Sequence, residues 1–295
     1  MIVGAGLAGL IAAHAFPTLP IVESQPQPTS THKALLRFRS SAVGDLVGVE
    51  FRPVTVHKGI WYKSQWHEPN IKVANMYSLK VLGKIMQRSI WNIDSVTRWI
   101  APDDLYERMV NSVGHRVQWG LEYDYGQDEI VINTAPISVP LDALGLPRPH
   151  LDRAPITVLR YRVHQCEAYQ TVYYPAITHN MYRASITGDT LICEFAGAVE
   201  DPDIWQDELW DSMHINVGSH CEPLGAVEQR YGKIAPIDEG MRKALISRLT
   251  RDHKIFSLGR YGTWRNILLD DVVHDTAVVK RLITATDYER QLASL

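Results

Sequence analysis

The sequence predicts an α/β fold in which a parallel, helix-flanked sheet is interrupted by an inserted, mainly antiparallel sheet. Three observations carry this. The chain opens on a short apolar run, Met1 to Val3, that enters Gly4-Ala5-Gly6-Leu7-Ala8-Gly9 and then an alanine-rich stretch. The segments 156–163, 168–174 and 190–196 alternate apolar and polar residues, as antiparallel strands do. Near the end, the strand-like run Lys254 to Leu258 is followed by an amphipathic stretch from Asp270 to Thr286.

Each glycine of the opening loop has a physical task. Gly4 permits a tight turn out of the strand, Gly6 lets backbone N–H groups approach a pyrophosphate, and Gly9 lets the next helix pack closely on the sheet. The loop thus sets Ala5, Leu7 and Ala8 around a helix N-terminus, whose partial positive charge suits phosphate. Residues 10–16 read as a short helix stopped by Pro17, and Leu19 to Val22 as the second strand. Glu23 follows, 19 residues after Gly4, close to the roughly 20 expected of a carboxylate that accepts ribose hydroxyls. Strand, loop, helix, strand and acid in this order form a Rossmann-like dinucleotide-binding unit.

The remaining elements follow in order. Gln25 to Thr31 is a polar, proline-rich loop and His32 to Ser41 a basic segment. Val54 to Tyr62 alternates like a strand, whereas 77–86 and 90–99 read as mixed helix and loop. Pro102 to Val110 has the proline, early acids and apolar spacing of a helix. Arg116 to Trp119 and Glu129 to Thr134 are short strands, the second running into Ala135-Pro136. The alternating strands come next, then a helix at Met241 to Leu249 and the closing strand and helix.

Composition narrows the function. The chain has 295 residues and is 45 % hydrophobic, enough for one large domain or two intimate ones. No apolar run reaches the roughly 18–20 residues of a membrane span. No signal peptide is expected, because the loop starts at residue 2. Cys166, Cys193 and Cys221 lack metal-ligand spacing and read as thiols of a reducing cytoplasm. His214, His220 and Cys221 read as scattered loop residues, so no metal is expected. The net charge of −3 hides an asymmetry: Lys33 to Arg98 holds 11 Lys/Arg against 4 Asp/Glu, and Ala184 to Gln229 holds 10 Asp/Glu and no Lys or Arg. The basic segment also carries Trp61, Tyr62, Trp66, Tyr77, Trp91 and Trp99. Such interleaving suits a phosphate-bearing or nucleic-acid partner; the plainer reading is that its cations meet a cofactor's phosphates or the acidic segment.

Four segments together resemble the flavin-dependent oxidoreductases that include amine oxidases, protoporphyrinogen oxidase and UDP-galactopyranose mutase. They are Gly4 to Gly9 with Glu23; Ile130 to Pro136, similar to that family's strand ending in Thr-x-Pro; Val172 to Pro175 with Met181 to Arg183 and Leu191 to Glu194, similar to the substrate-domain sheet of mutase-like members; and Phe256 to Asn266 followed by Asp270 to Val272, similar to the C-terminal strand, loop and helix. The resemblance implies FAD as cofactor. It implies an FAD-binding domain from 1–60, 100–138 and 230–295, and a substrate domain from 61–99 and 139–229. Its implied cofactor contacts are the loop, Glu23, Val117, Thr134, Gly259, Arg260, Asp271 and Val272. Arg260 suits pyrophosphate charge, and a helix starting near Asp271 suits the partial negative charge of a reduced flavin ring.

The chain departs from that pattern. It is shorter than typical members and lacks the glycine pair and arginine that follow the ribose-binding glutamate. Arg37, Arg39 and Ser40 lie where replacement phosphate contacts are needed. The resemblance implies oxidation of a C–N bond in an amine or amino-acid-type substrate. Tyr173, Tyr174, Tyr182 and Tyr261 are candidates for the walls of an aromatic pocket, and Arg183 for a bidentate contact to a substrate carboxylate. A narrower version is similar to compact phage flavoenzymes that oxidise amino-acid-modified thymine in DNA. There Trp61, Trp66 or Trp91 would stack on bases, in host cytoplasm. The alternatives are a mutase-like enzyme acting on a nucleotide sugar, and a non-enzymatic flavin-binding module.

Overall fold

A computed structural model describes residues 1–28, 37–87, 89–127, 129–200 and 202–285, without the side chains of Ser89, Arg230 and Tyr231. The loop beyond Pro28, the basic segment as far as Leu36 with Lys33, then Arg88, and Thr286 of the closing helix lie outside the described residues.

Five short strands make a parallel sheet: β1 (Ile2–Val3), β2 (Ile21–Glu23), β7 (Val117–Trp119), β8 (Val131–Asn133) and β14 (Ile255–Ser257), in the order β14-β8-β1-β2-β7. Strands β1, β8 and β14 are buried on both faces, which explains their mostly apolar sequence. Helices cover both sides. On one side α1 (Leu7–Ala15), α2 (Ala42–Val47), α4 (Leu105–Val113) and α10 (Leu269–Thr284) share a core that includes Leu10, Val43, Leu105, Met109 and Val279. On the other, α5 (Ser138–Ala143), α8 (Glu239–His253) and α9 (Gly259–Thr263) share a core with Ile137, Leu141, Leu249 and Trp264.

The second sheet has nine strands: β13 (Cys221–Ile234), β9 (Arg153–Val163), β12 (Thr190–Ala196), β11 (Met181–Gly188), β10 (Ala168–Tyr173), β4 (Arg52–Trp61), β6 (Val96–Ile100) and β3 (Arg37–Phe38) in that order, with β5 (Trp66–His67) beside β4. Its pairings are antiparallel except β10 with β4. One face carries α3 (Ile71–Leu82), packed through Val73, Tyr77 and Val81 on Ile60, Tyr173 and Tyr182. The other carries α6 (Pro202–Met213), packed through Trp205 and Leu209 on Tyr174 and Phe195. The short α7 (Val217–His220) leads into β13. The molecule is thus a mixed α/β protein with a Rossmann-like parallel layer and a curled, mainly antiparallel sheet.

The segment 77–86 is mixed helix and loop, as expected: α3 ends at Leu82, and its N-terminus is capped by Asn70, which accepts the Val73 N–H at 3.1 Å. Other elements differ from the sequence expectation. The mixed segment 90–99 contains β6. The long β13 has no clear alternation because its pairing with β9 shifts between Pro223 and Gly225 and again between Gln229 and Lys233.

Candidate functional site

The chain reverses direction across the parallel sheet between β1 and β8. From β1 it proceeds outward to β2 and β7, then returns to β8 on the other flank. Such a switch point leaves a crevice at the carboxyl ends of the strands, where ligands bind in open α/β sheets. Gly4 and Thr134 border it. Thr134 Oγ1 donates to Val3 O at 2.8 Å, and a Cβ built on Gly4 (φ +99°) would sit 2.6 Å from Thr134 Oγ1. A Cβ on Gly9 would overlap the Gly4 carbonyl. Gly6 differs: it is exposed, and a Cβ there would meet no atom within 4 Å. No side chain caps α1, so the N–H groups of its first turn, Leu7 and Ala8 among them, face this open space.

Glu23 ends β2 beside the loop. Its Oε2 accepts the Ala5 N–H at 2.7 Å and its Oε1 the Gln25 N–H at 2.8 Å. These bonds fix the carboxylate next to the first turn of α1 while leaving further lone-pair positions for hydroxyls. Val117, half-buried, pairs with Ile21 on the adjacent strand. Bare N–H groups, open space at Gly6 and a held carboxylate together fit the pyrophosphate and ribose of a dinucleotide.

The C-terminal segment closes against this loop. Gly259 (φ +80°) starts α9, and a Cβ there would press within 2.7 Å of Ala8 Cβ. Arg260 directs Nε and Nη2 to Ile267 O, at 3.3 and 3.0 Å, and so closes the 260–267 loop. Asp271 accepts the Leu268 N–H at 2.9 Å, closing the first turn of α10, and pairs with Arg39. Val272 is buried in the core. Asp270 accepts the N–H groups of Arg39 and Ser40, and the Ser40 hydroxyl at 3.1 Å. Residues 39 and 40 are therefore anchored to the start of α10.

From that anchor β3 carries Arg37 onto the nine-stranded sheet. Its guanidinium donates to Thr187 Oγ1 at 3.0 Å, Thr171 Oγ1 at 2.8 Å, Gln170 O at 3.1 Å and Ile186 O. Arg37 thus serves the sheet rather than the glycine loop. Burial first, then the nearby Arg183, pull it down to about 9, so it stays charged at neutral pH. The same sheet face holds Tyr173, Tyr182, Arg183 and Glu194. Arg183 pairs with Glu194, and Tyr182 Oη donates to Glu194 Oε1 at 2.8 Å. Burial alone would raise the Glu194 carboxyl, but Arg183, Lys233 and these hydrogen bonds hold it down to about 2. Tyr77 of α3 meets both tyrosines edge-on, at 5.5 Å from Tyr173 and 6.1 Å from Tyr182.

The structure separates other predicted partners. Tyr174 cannot wall the same pocket as Tyr173, because consecutive strand residues face opposite ways. It packs in the α6 core and bonds Ser212 Oγ at 2.7 Å. Tyr261 packs in the core beneath α9, where its carbonyl accepts the Ile137 N–H. Arg183 is not an open clamp, since Glu194 occupies it. Of the tryptophans proposed to stack on bases, Trp61 is buried, whereas Trp66 and Trp91 are exposed. Several cations of the basic segment are bound internally: Lys80 donates to the carbonyls of Tyr174, Ala176 and Met181, and Lys58 to Asn92 O. In the sequence Tyr77 counts only among the aromatics of the basic segment and Glu194 only as the end of a resembling strand; the signals for their pairing were an acid in an apolar strand and a tyrosine on the buried side of α3.

No known family's sequence profile and no curated protein sequence matches this chain. Solved structures do. A reduced UDP-galactopyranose mutase aligns with a TM-score of 0.69 at 12 % identity, over 96 % of this chain and 93 % of that one. A fatty acid isomerase from P. acnes aligns with a TM-score of 0.60 at 10 % identity, over 95 % and 97 %. A putrescine oxidase aligns with a TM-score of 0.57 at 12 % identity, over 96 % and 98 %. These likenesses establish the fold.

Proposed function

We propose that this chain is an FAD-dependent flavoenzyme that oxidises a C–N bond of an amine or amino-acid-type substrate. The observation that carries the cofactor assignment is the uncapped first turn of α1 facing open space at Gly6, beside the fixed carboxylate of Glu23. When bound, FAD would supply the acceptor for a hydride or electrons. Gly6, Leu7 and Ala8 would hold the pyrophosphate by backbone N–H groups, and Glu23 a ribose. The family resemblance extends the cofactor's far end toward Thr134 and the start of α10.

The residues on the sheet face give the substrate half of the reading. Tyr173 and Tyr182 are almost fully buried and offer apolar walls that exclude water. In such surroundings a substrate amine loses its proton more readily, because desolvation disfavours the ammonium. Arg37 supplies positive charge for a carboxylate, and the Arg183–Glu194 pair fixes the sheet beneath it. A mutase-like reaction on a nucleotide sugar is the second reading; the cationic face suits a diphosphate, and the TM-score of 0.69 to the mutase favours it.

The test begins with the absorption spectrum of the purified protein. Bands at the flavin maxima, with FAD released on denaturation, are expected; a colourless protein that binds no FAD overturns the proposal. Anaerobic bleaching by amines or amino acids supports oxidation. Isomerisation of a nucleotide sugar that requires prereduced protein supports the second reading.

A further inference from the structure

A groove of about 490 Å³ lies between β4, β10 and the C-terminal end of α6. It opens on the sheet face opposite Arg37. Gly59 and Val172 are paired neighbours that form its floor, while Lys58 and Thr171 alternate to the other face and contribute main chain. Lys58 sends its ammonium to Asn92 O at 3.1 Å. The indole of Trp66 forms one wall. It lies so close over Gly59 that a Cβ there would sit 2.5 Å from its Cζ3. It packs T-shaped on Trp61, with ring centroids 5.0 Å apart, yet 56 % of Trp66 is exposed. A large aromatic face is therefore held in a fixed orientation and left open.

The facing wall is Asp211, Ser212, Met213 and His214 at the end of α6. From Pro202 to Met213 this helix carries Asp203, Asp207, Glu208 and Asp211 and no Lys or Arg. Its C-terminal carbonyls add partial negative charge at the groove. Asp211 has no ion pair among the described residues. Burial raises the nearby Glu208 carboxyl, which Trp61 and Lys80 offset in part and Asp211 reinforces by like-charge repulsion.

We propose that this groove is a second ligand site, separate from the dinucleotide crevice, that takes a small organic cation, with Trp66 as the aromatic wall and Asp211 as the counter-charge. An ammonium over an indole face gains cation–π attraction, most strongly for Trp among aromatic residues. The groove volume lies within the roughly 300–1,000 Å³ of small-molecule sites. Neither Gly6 nor Arg37 takes part, so the proposal stands apart from the cofactor assignment.

The test uses the full chain as purified, with choline as probe and its neutral isostere 3,3-dimethyl-1-butanol as control. Titration followed by ¹H–¹⁵N correlation spectra is expected to shift the Trp66 indole N–H and Gly59 amide saturably, with the neutral isostere at least about tenfold weaker. Asp211→Asn should weaken binding about tenfold or more. Trp66→Ala, checked for folding by circular dichroism, should do the same, while Trp66→Phe retains most of the affinity. Equal binding of the neutral isostere, shifts that avoid Trp66 and Gly59, or unchanged affinity in both Asp211→Asn and Trp66→Ala would overturn the proposal.

Discussion

Gly6→Val separates a ligand role from a structural one. At Gly6 the backbone has φ −70° and ψ 177°, an extended conformation open to any residue, and a Cβ would meet no atom within 4 Å. The structural cost is therefore that of a poorer N-cap, about 1 kcal/mol. For a chain of this size that lowers Tm by no more than about 4 °C. The cost to a dinucleotide is much larger. The side chain would fill the space through which the N–H groups of the first turn reach a pyrophosphate. Losing two charge-assisted hydrogen bonds at about 1.5–3 kcal/mol each corresponds to roughly a hundredfold or more in Kd. Thermal unfolding of cofactor-free protein and FAD titration by calorimetry measure the two quantities separately. Gly9→Ala is the contrasting variant. Its Cβ would overlap the Gly4 carbonyl, so stability should fall along with binding. Unchanged FAD affinity in Gly6→Val, or a cofactor-free Gly6→Val as unstable as Gly9→Ala, would refute the reasoning.

Three further outcomes follow from contacts within the fold. Glu194→Gln leaves Arg183 without its counter-charge and should destabilise the protein by about 3–5 kcal/mol in urea unfolding. Because the folded-state value of Glu194, about 2, lies below its ordinary 4.5, its stabilisation is present above pH 4.5 and should fade between about pH 4.5 and 2; Glu194→Gln should flatten that part of the stability profile. Lys80→Met removes the donor shared by the carbonyls of Tyr174, Ala176 and Met181; a loss of about 2–4 kcal/mol is expected, with faster hydrogen exchange near residues 174–181. Asp270→Ala frees the Arg39 and Ser40 amides, whose exchange should accelerate while that of β1 and β8 stays slow.

The local chemistry of the parallel layer was legible in the sequence. Glycine spacing, the carboxylate at Glu23 and the Thr134 return are set within short segments, and the structure brings Gly4, Gly9 and Thr134 into contact. The Arg37 face of the nine-stranded sheet was much less so. Tyr173 and Tyr174 look equivalent in sequence, and only strand pairing decides that the first faces Arg37 and the second faces α6. Arg37 looks like a phosphate ligand because it follows the nucleotide loop, yet β3 carries it to Thr171 and Thr187, more than 130 positions away. The Arg183–Glu194 pair depends on the register of β11 against β12, which no local pattern encodes. Long-range register, rather than propensity, is what separated the readable part from the rest.

The charge on that face discriminates the two substrate readings. Glu194 stays ionised between Arg183 and Lys233 and cancels one of these charges, so together with Arg37 the face carries surplus positive charge. Arg98, on the neighbouring β6, also acts on Arg37 by like-charge repulsion. A single carboxylate is matched by Arg37 alone. A diphosphate carries at least twice the charge and would draw on Arg98 as well. Arg98→Ala should therefore leave the affinity for an amino-acid-type ligand within about threefold if C–N oxidation is the reaction, and weaken a nucleoside diphosphate about tenfold or more if the mutase-like reading holds. Calorimetric titration of wild type and variant with UDP and with a panel of amino acids measures both. Tight UDP binding that depends on Arg98 would sink the oxidase reading, because a face built for one carboxylate gives a diphosphate no such preference.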